Sequence, residues 1–378
     1  MRLPMNTALD NLQLSGIRRF TAMAKQKPGC VMLTLGEPEF DTSASICEQV
    51  VESLQAGETH YPPNNGQEYL LQALSQQAEQ QGLHYPPDEI IVTCGATEAL
   101  FSTFTALLNP GDEVIVPTPA FGLYESIVGL CRGRYVPLNT APCDFQIDAE
   151  SLQSVVSEKT KAIVLISPNN PTGCIYNEAS LQAVAQLARE KGIYVICDDV
   201  YNQLAYTDQF QRFAVCYPDL KENIIVIDSF SKPYAMTGWR LGWLMAEQAV
   251  KQQIQKVHQY SVVSVTSFTQ KACVTALQSD ITAMQQSYQK RRDLVYNRLC
   301  EMGMKVNKPE GAFYIFPSIE QYGLSSEEFC TRLIQQAGVA TVPGSCFGCE
   351  GYIRLSYCCA EQELQKGLDR LEQFLQSL

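Results

Sequence analysis

Between about residues 89 and 246, short apolar runs alternate with stretches in which apolar residues recur every three or four positions. The runs are 89–94, 113–117, 135–138, 162–167, 194–197, 224–228 and 240–245, and most are rich in Val and Ile with few polar interruptions. Strands covered on both faces have that composition, whereas strands with one wet face alternate. The intervening stretches are amphipathic. In 180–191, Leu181, Val184, Leu187 and Ala188 share one face, and Gly192 follows as a stop signal. The alternation predicts an α/β fold, a three-layer αβα arrangement around a mainly parallel sheet of about seven strands.

Beyond Trp243 the pattern changes. Helical periodicity runs over about 247–279 and again over 282–302; strand-like segments follow at 312–317 and 352–356, and a helix begins near 361. These elements predict a smaller α+β domain at 281–378. The large domain is expected at 46–280. Residues 1–45 are expected to join the small domain, because 31–35 is a short strand-like segment outside the main alternation. Two domains leave a cleft between them, and ligands favour such clefts.

Composition narrows the function. The chain has 378 residues, of which 46% are hydrophobic and 18% charged, enough apolar material to exclude a disordered or fibrous chain. Lys and Arg number 28 against 40 Asp and Glu, a formal net charge of −12. That balance argues against a nucleic-acid partner, whose phosphates need clustered cations. An anionic ligand must instead be held by a few placed cations. No run approaches the ~20 apolar residues that span a bilayer. The start, Met1-Arg-Leu-Pro-Met-Asn6, lacks a signal-peptide pattern, so the chain is read as cytoplasmic with no membrane partner. The fifteen cysteines are odd in number and scattered. Most, including Cys94, Cys197 and Cys273, fall within strand-like or helix-like patterns, as free thiols in a reducing compartment do. His60, His84 and His258 are isolated from one another, and no metal site is expected.

The chemistry lies at the carboxyl ends of the predicted strands, where open α/β sheets bind ligands. In Asp228-Ser-Phe-Ser-Lys-Pro-Tyr-Ala-Met-Thr-Gly-Trp-Arg240, a strand delivers Ser229, Ser231 and Lys232 into a loop, with Arg240 eight residues past the lysine. A lysine flanked by hydroxyls and an arginine suits a Schiff base beside a phosphate. In Ile193-Tyr-Val-Ile-Cys-Asp198-Asp199-Val-Tyr201, an apolar strand ends on a carboxylate. A buried acid there needs a partner such as a protonated ring nitrogen, though a helix N-cap accounts for it equally well. Ser167-Pro-Asn169-Asn170-Pro-Thr-Gly173 is a turn-rich loop after a strand. Cys94-Gly-Ala96-Thr97-Glu98 is a strand-to-helix turn of the kind that offers N–H groups to an anion.

Taken together, these ordered motifs resemble the pyridoxal-phosphate-dependent aminotransferases of the aspartate aminotransferase superfamily, fold type I. The likeness covers essentially the whole chain, from Leu35-Gly-Glu-Pro-Glu-Phe-Asp41 to Tyr352-Ile-Arg354-Leu-Ser356. The resemblance implies that Lys232 carries the cofactor as a Schiff base and moves the substrate proton. It implies that Asp198 pairs with the pyridine nitrogen and that Tyr201 and Asn170 bond the phenolic oxygen. Ala96, Thr97, Ser229, Ser231 and Arg240 match the phosphate cup, and Phe121 matches the aromatic stacked on the ring. Tyr61 resembles the tyrosine that reaches a partner's phosphate, implying a homodimer with shared sites. Arg354, with Gly36, matches the group that binds the substrate α-carboxylate. The implied reaction is ping-pong transamination between an L-amino acid and a 2-oxo acid such as 2-oxoglutarate.

Leu14-Ser-Gly-Ile-Arg-Arg-Phe20, Lys256-Val-His-Gln-Tyr260 and Gly311-Ala-Phe-Tyr-Ile-Phe-Pro-Ser318 are similar to a bacterial subgroup active on N-acetyl-diaminopimelate or aromatic amino acids. Ile17 is expected in the side-chain pocket. Arg18 and Arg19, beside it, leave aspartate open as a substrate, and a C–S β-lyase on the same fold is the other alternative.

Overall fold

In the computed structural model, which describes residue 3, residues 5–10 and residues 12–378, a short strand β1 (Val31–Met32) precedes the seven strands of the main sheet. The stretch 1–6, read above as lacking a leader, lies partly outside the described residues. The seven are β2 (Ile90–Thr93), β3 (Glu113–Thr118), β4 (Arg134–Asn139), β5 (Thr160–Ile166), β6 (Tyr194–Asp198), β7 (Ile224–Ser229) and β8 (Gly242–Ala246). Their order is β2-β8-β7-β6-β5-β3-β4. Pairing is parallel from β7 through β4, and β8 runs antiparallel to both β7 and β2.

Side chains alternate across this sheet, as the two-residue period of a strand requires. Val114, Val164, Ile196, Ile225 and Leu244 enter one apolar core; Ile115, Ile163, Val195, Val226 and Met245 enter the other. Both faces are dry, which is why these strands read as continuous apolar runs. Helices Gly95–Leu107 and Leu123–Leu130 cover the first face with Leu100, Phe104, Tyr124 and Ile127. Helices Glu68–Gln80 and Glu178–Lys191 cover the second with Leu70, Leu74, Leu181 and Val184. The last of these starts where Asn177 Oδ1 accepts the Ser180 N–H at 2.8 Å and stops at Gly192, φ +66°.

Three predicted spans are shorter than their apolar patterns. The run 240–245 becomes a strand only from Gly242, because Arg240 adopts φ +57°. The helical stretch 247–279 is broken: Gln248–Val262 ends at Val263, φ +67°, and a second helix, Gln270–Leu277, follows. Ala312, φ +56°, cuts the predicted strand 312–317 to β9 (Tyr314–Ile315).

The remaining strands are β10 (Val339–Ala340), β11 (Val342–Pro343) and β12 (Ile353–Ser356). β11, β12 and β9 make an antiparallel sheet, and β10 pairs in parallel with β1, Val31 opposite Val339. Helices Thr282–Glu301 and Glu361–Gln376 pack against these short strands. Among the described residues, no helix is long and apolar enough to cross a membrane. All fifteen cysteines are free thiols, and Cys47, Cys143 and Cys300 are exposed rather than buried.

Candidate active site

Because β7, β6, β5 and β3 are parallel, their carboxyl ends share one rim of the sheet. Asp198 closes β6 and Ser229 closes β7; Asn170 follows β5, and Phe121 follows β3. The reversed direction of β8 brings Arg240 to the same rim, just before the strand begins. A cleft of about 580 Å³ opens there, and Gly36, Tyr314 and Arg354 complete its wall.

Lys232 is half-buried in this cleft. Its Nζ donates to the Gly36 carbonyl at 2.6 Å. Burial brings its pKa down to about 8; Arg354 and Arg240 push the same way, against Cys358 and Glu37. The arginines are thus the lesser cause, and desolvation the greater. Gly36 has to lack a side chain: a Cβ there would stand 1.7 Å from the Tyr314 hydroxyl. The Cys358 thiol lies 3.3 Å from the Leu35 carbonyl and 3.0 Å from that of Glu37, so the tail of β12 brackets the Gly36 turn.

Asp198 is buried, and its Oδ2 accepts the Tyr124 hydroxyl at 2.6 Å. Oδ1 is equally buried and has no partner. The helix N-cap reading of this residue therefore fails, since neither oxygen caps a helix. Burial raises its pKa to about 6, with Tyr124 pulling it down and Asp199 pushing it up. Asp199 itself faces the opposite way, as strand alternation demands, and meets Arg212 Nε at 2.7 Å. Asp228 lies 3.7 Å from the same guanidinium, accepts from Asn202 Nδ2 at 2.5 Å and is pushed by burial to about 7. This buried group ties the ends of β6 and β7 together beneath the cleft. Tyr201 points back into the cleft, where its hydroxyl meets that of Tyr314 at 2.8 Å.

A second cluster suits a dianion. The helix Gly95–Leu107 opens with Gly95 at φ +76°, and its first N–H groups, including those of Ala96 and Thr97, have no intrahelical acceptor. A Cβ on Gly95 would sit 2.7 Å from Arg240 Nη2, so the glycine lets the guanidinium close on the helix start. Ser229 Oγ donates to Ser231 Oγ at 2.8 Å, which leaves the second hydroxyl hydrogen available. Two hydroxyls, a guanidinium and a helix start form a phosphate-binding set.

Arg354 is 1% exposed. Its Nη1 donates to Asn170 Oδ1 at 2.9 Å and its Nη2 to the Thr34 carbonyl at 2.5 Å, while Nε has no partner. The guanidinium lies 4.4 Å from the centroid of Tyr314 and 4.8 Å from that of Phe347. A buried cation with no carboxylate beside it is costly unless an anion arrives.

The structure brings Ile17, Gly36, Ala96, Thr97, Phe121, Asn170, Asp198, Tyr201, Ser229, Ser231, Lys232, Arg240 and Arg354 to one cleft. Tyr61 is not among them: it is 88% exposed on the surface of the single chain. Of the paired arginines, Arg18 lines the cleft, whereas Arg19 turns away to Glu327 at 2.5 Å. Sequence reasoning missed Tyr124, Tyr314 and Arg212. Only Tyr124 had a local signal, standing three residues past Phe121, at the start of the helix that follows it. Tyr314 is recruited from a distant segment by packing, and Arg212 from the loop 13 residues past Asp199.

The fold and this constellation define a class of cofactor enzyme. The family described as "Aminotransferase class I and II" matches residues 28–371. The chain belongs to that family, whose enzymes use pyridoxal phosphate to pass amino groups between small amino and 2-oxo acids. It is 38% identical to a Bacillus subtilis protein named "Probable N-acetyl-LL-diaminopimelate aminotransferase", covering 98% of this chain and 95% of the relative. Identity is also 38% to an aspartate aminotransferase of Pyrococcus abyssi, over 99% and 98% of the two chains. The solved structure of an aromatic aminotransferase from Pyrococcus horikoshii superposes with a TM-score of 0.90 at 36% identity, covering 95% of this chain and 99% of that one. Pyridoxal phosphate fits the residues present: the unpartnered Asp198 Oδ1 meets its need for a ring-nitrogen acceptor, and the hydroxyl, guanidinium and helix-start donors suit its phosphate.

Proposed function

We propose that Lys232 is the covalent anchor for pyridoxal phosphate, with Asp198 at the ring nitrogen and Tyr201 and Asn170 at the phenolic oxygen. Phe121 covers a ring face, and Ala96, Thr97, Ser229, Ser231 and Arg240 surround the phosphate. The observation that carries this reading is the unpartnered, buried Asp198 Oδ1 in the same cleft as an amine of lowered basicity. The bound cofactor supplies an electron-withdrawing ring that takes up the electron pair left on a substrate carbon. Lys232 Nζ would be the group that takes the proton from the substrate α-carbon and carries it across that face of the cleft. Arg354 holds the α-carboxylate and so fixes which bond of the α-carbon faces Lys232.

Burial of Lys232 sets a pH dependence. Its folded pKa lies below the ordinary lysine value, so the neutral, nucleophilic amine predominates above pH 8 rather than above 10. Stopped-flow capture of pyridoxal phosphate by apoenzyme is expected to quicken about tenfold per pH unit below that point and to level off above it. A rate still climbing at pH 10 would sink the assignment of a desolvated lysine.

The amino donors proposed are aromatic or N-acetyl-diaminopimelate-like. Support comes from the apolar wall of Ile17, Leu35 and Leu123, with Arg18 and Lys25 at the rim as the cations available to a distal carboxylate. A panel of tyrosine, phenylalanine, N-acetyl-diaminopimelate and aspartate against 2-oxoglutarate tests it. One of the first three should give the highest kcat/KM; aspartate in that place would overturn the reading. Pyruvate and ammonia released from cystathionine without a 2-oxo acid would instead mark a β-lyase.

We further read the enzyme as a cytoplasmic homodimer acting in amino-acid biosynthesis, with 1–45 and 281–378 as its small domain. The exposed Tyr61 and Tyr260 are the basis for the dimer, and sedimentation at 42.1 kDa alone would refute it.

A further inference from the structure

Tyr124 belongs to the helix Leu123–Leu130, and its hydroxyl is buried against the end of β6. A buried tyrosine hydroxyl needs an acceptor, and any backbone carbonyl would satisfy it. Here it takes one oxygen of the carboxylate that faces the cleft, at 2.6 Å, and leaves the other oxygen without a donor. Both residues line the same cavity. Asp199, the nearest like charge, is turned away and engaged by Arg212, and Lys232 Nζ is engaged by the Gly36 carbonyl. Tyr124 is thus the sole side chain hydrogen-bonded to Asp198 among the described residues, beside the backbone N–H of Val200.

We propose that Tyr124 is a positioning residue: by occupying Oδ2, it holds the Asp198 carboxylate with Oδ1 presented to the ring nitrogen of the cofactor. The proposal rests on the reading of Asp198 given above. It also explains why an aromatic that belongs to the same apolar core as Ile127 and Val128 carries a hydroxyl. Burial and the adjacent carboxylate both hold the Tyr124 phenol in its protonated, donating form. The donor also offsets part of the desolvation that pushes Asp198 toward its neutral state.

The experiment titrates apoenzyme with two ligands, pyridoxal phosphate and its 1-deaza analogue, in which a C–H replaces the ring nitrogen. Wild type should bind pyridoxal phosphate more tightly. Tyr124→Phe, which conserves the ring volume, should weaken pyridoxal phosphate by about tenfold, the size of one charge-assisted hydrogen bond, and leave the analogue unchanged. Equal weakening of both ligands would reveal a purely structural role and overturn the proposal, as would no weakening of either. In an Asp198→Asn background the same replacement should alter neither constant, because the group being positioned is gone; a persisting tenfold effect would also overturn it. A wild type indifferent between the two ligands would instead remove the assignment of Asp198 itself.

Discussion

Replacing Lys232 with alanine is expected to lower amino-group transfer by about a thousandfold or more, because on the proposed assignment the covalent anchor and the group that moves the α-proton are lost together. The fold should survive: the side chain is half-buried and its one hydrogen bond is to a backbone carbonyl, that of Gly36. Two measurements separate these losses. Borohydride treatment of the wild-type holoenzyme should fix the cofactor mass on the peptide that contains Lys232; in the alanine variant that label should vanish, along with the visible band of lysine-linked cofactor. Label recovered on another lysine would overturn the assignment. Added small amines should restore part of the proton transfer, since the cleft then has room for one.

The second large effect is expected at Arg354. Its guanidinium is buried, lies over the rings of Tyr314 and Phe347, and is unpartnered at Nε. Two charge-assisted hydrogen bonds to a carboxylate contribute roughly 3–5 kcal/mol, so Arg354→Ala should cut kcat/KM by several hundredfold or more. Lysine at this position should recover only a fraction, because an ammonium cannot reproduce the planar fork. The discriminating substrate is the amine that lacks the α-carboxylate. Wild type and variant should process it at similar, low rates. A variant equally impaired on that amine would show that Arg354 acts through the architecture of the cleft and not through the carboxylate.

Much of this site was legible because it follows strand ends. Asp198, Ser229, Lys232 and Asn170 each stand at the close of an apolar run, and the periodicity that reveals the strand also reveals where its chemistry emerges. The sheet was legible for a related reason: with both faces dry, its strands carry an unbroken Val and Ile signature. Where a residue adopts a left-handed backbone, the pattern misled. Val263 ends a helix and Arg240 and Ala312 delay the start of a strand inside the predicted stretches, and side-chain hydrophobicity carries no record of φ. Arg212 and Tyr314 were invisible for another reason. Tyr314 meets Tyr201 across 113 residues of chain, and Arg212 reaches Asp199 from an irregular loop 13 residues on, so no periodic pattern marks either.

The antiparallel strand β8 has a consequence for how the site is assembled during folding. Since β7 and β8 form a hairpin, Lys232 and Arg240 are separated by 8 residues of one connecting loop, whereas 122 residues separate Lys232 from Arg354. Chain-closure entropy grows with the logarithm of that separation, so bringing Arg354 to the lysine costs about 2 kcal/mol more than bringing Arg240. The Arg240 edge of the cleft is therefore local to the lysine, whereas the helix start at Ala96 and Thr97, like Arg354, has to be brought from more than 100 residues away. On the proposed assignments, a nascent chain carries every phosphate-side residue once Arg240 is made, 114 residues before Arg354.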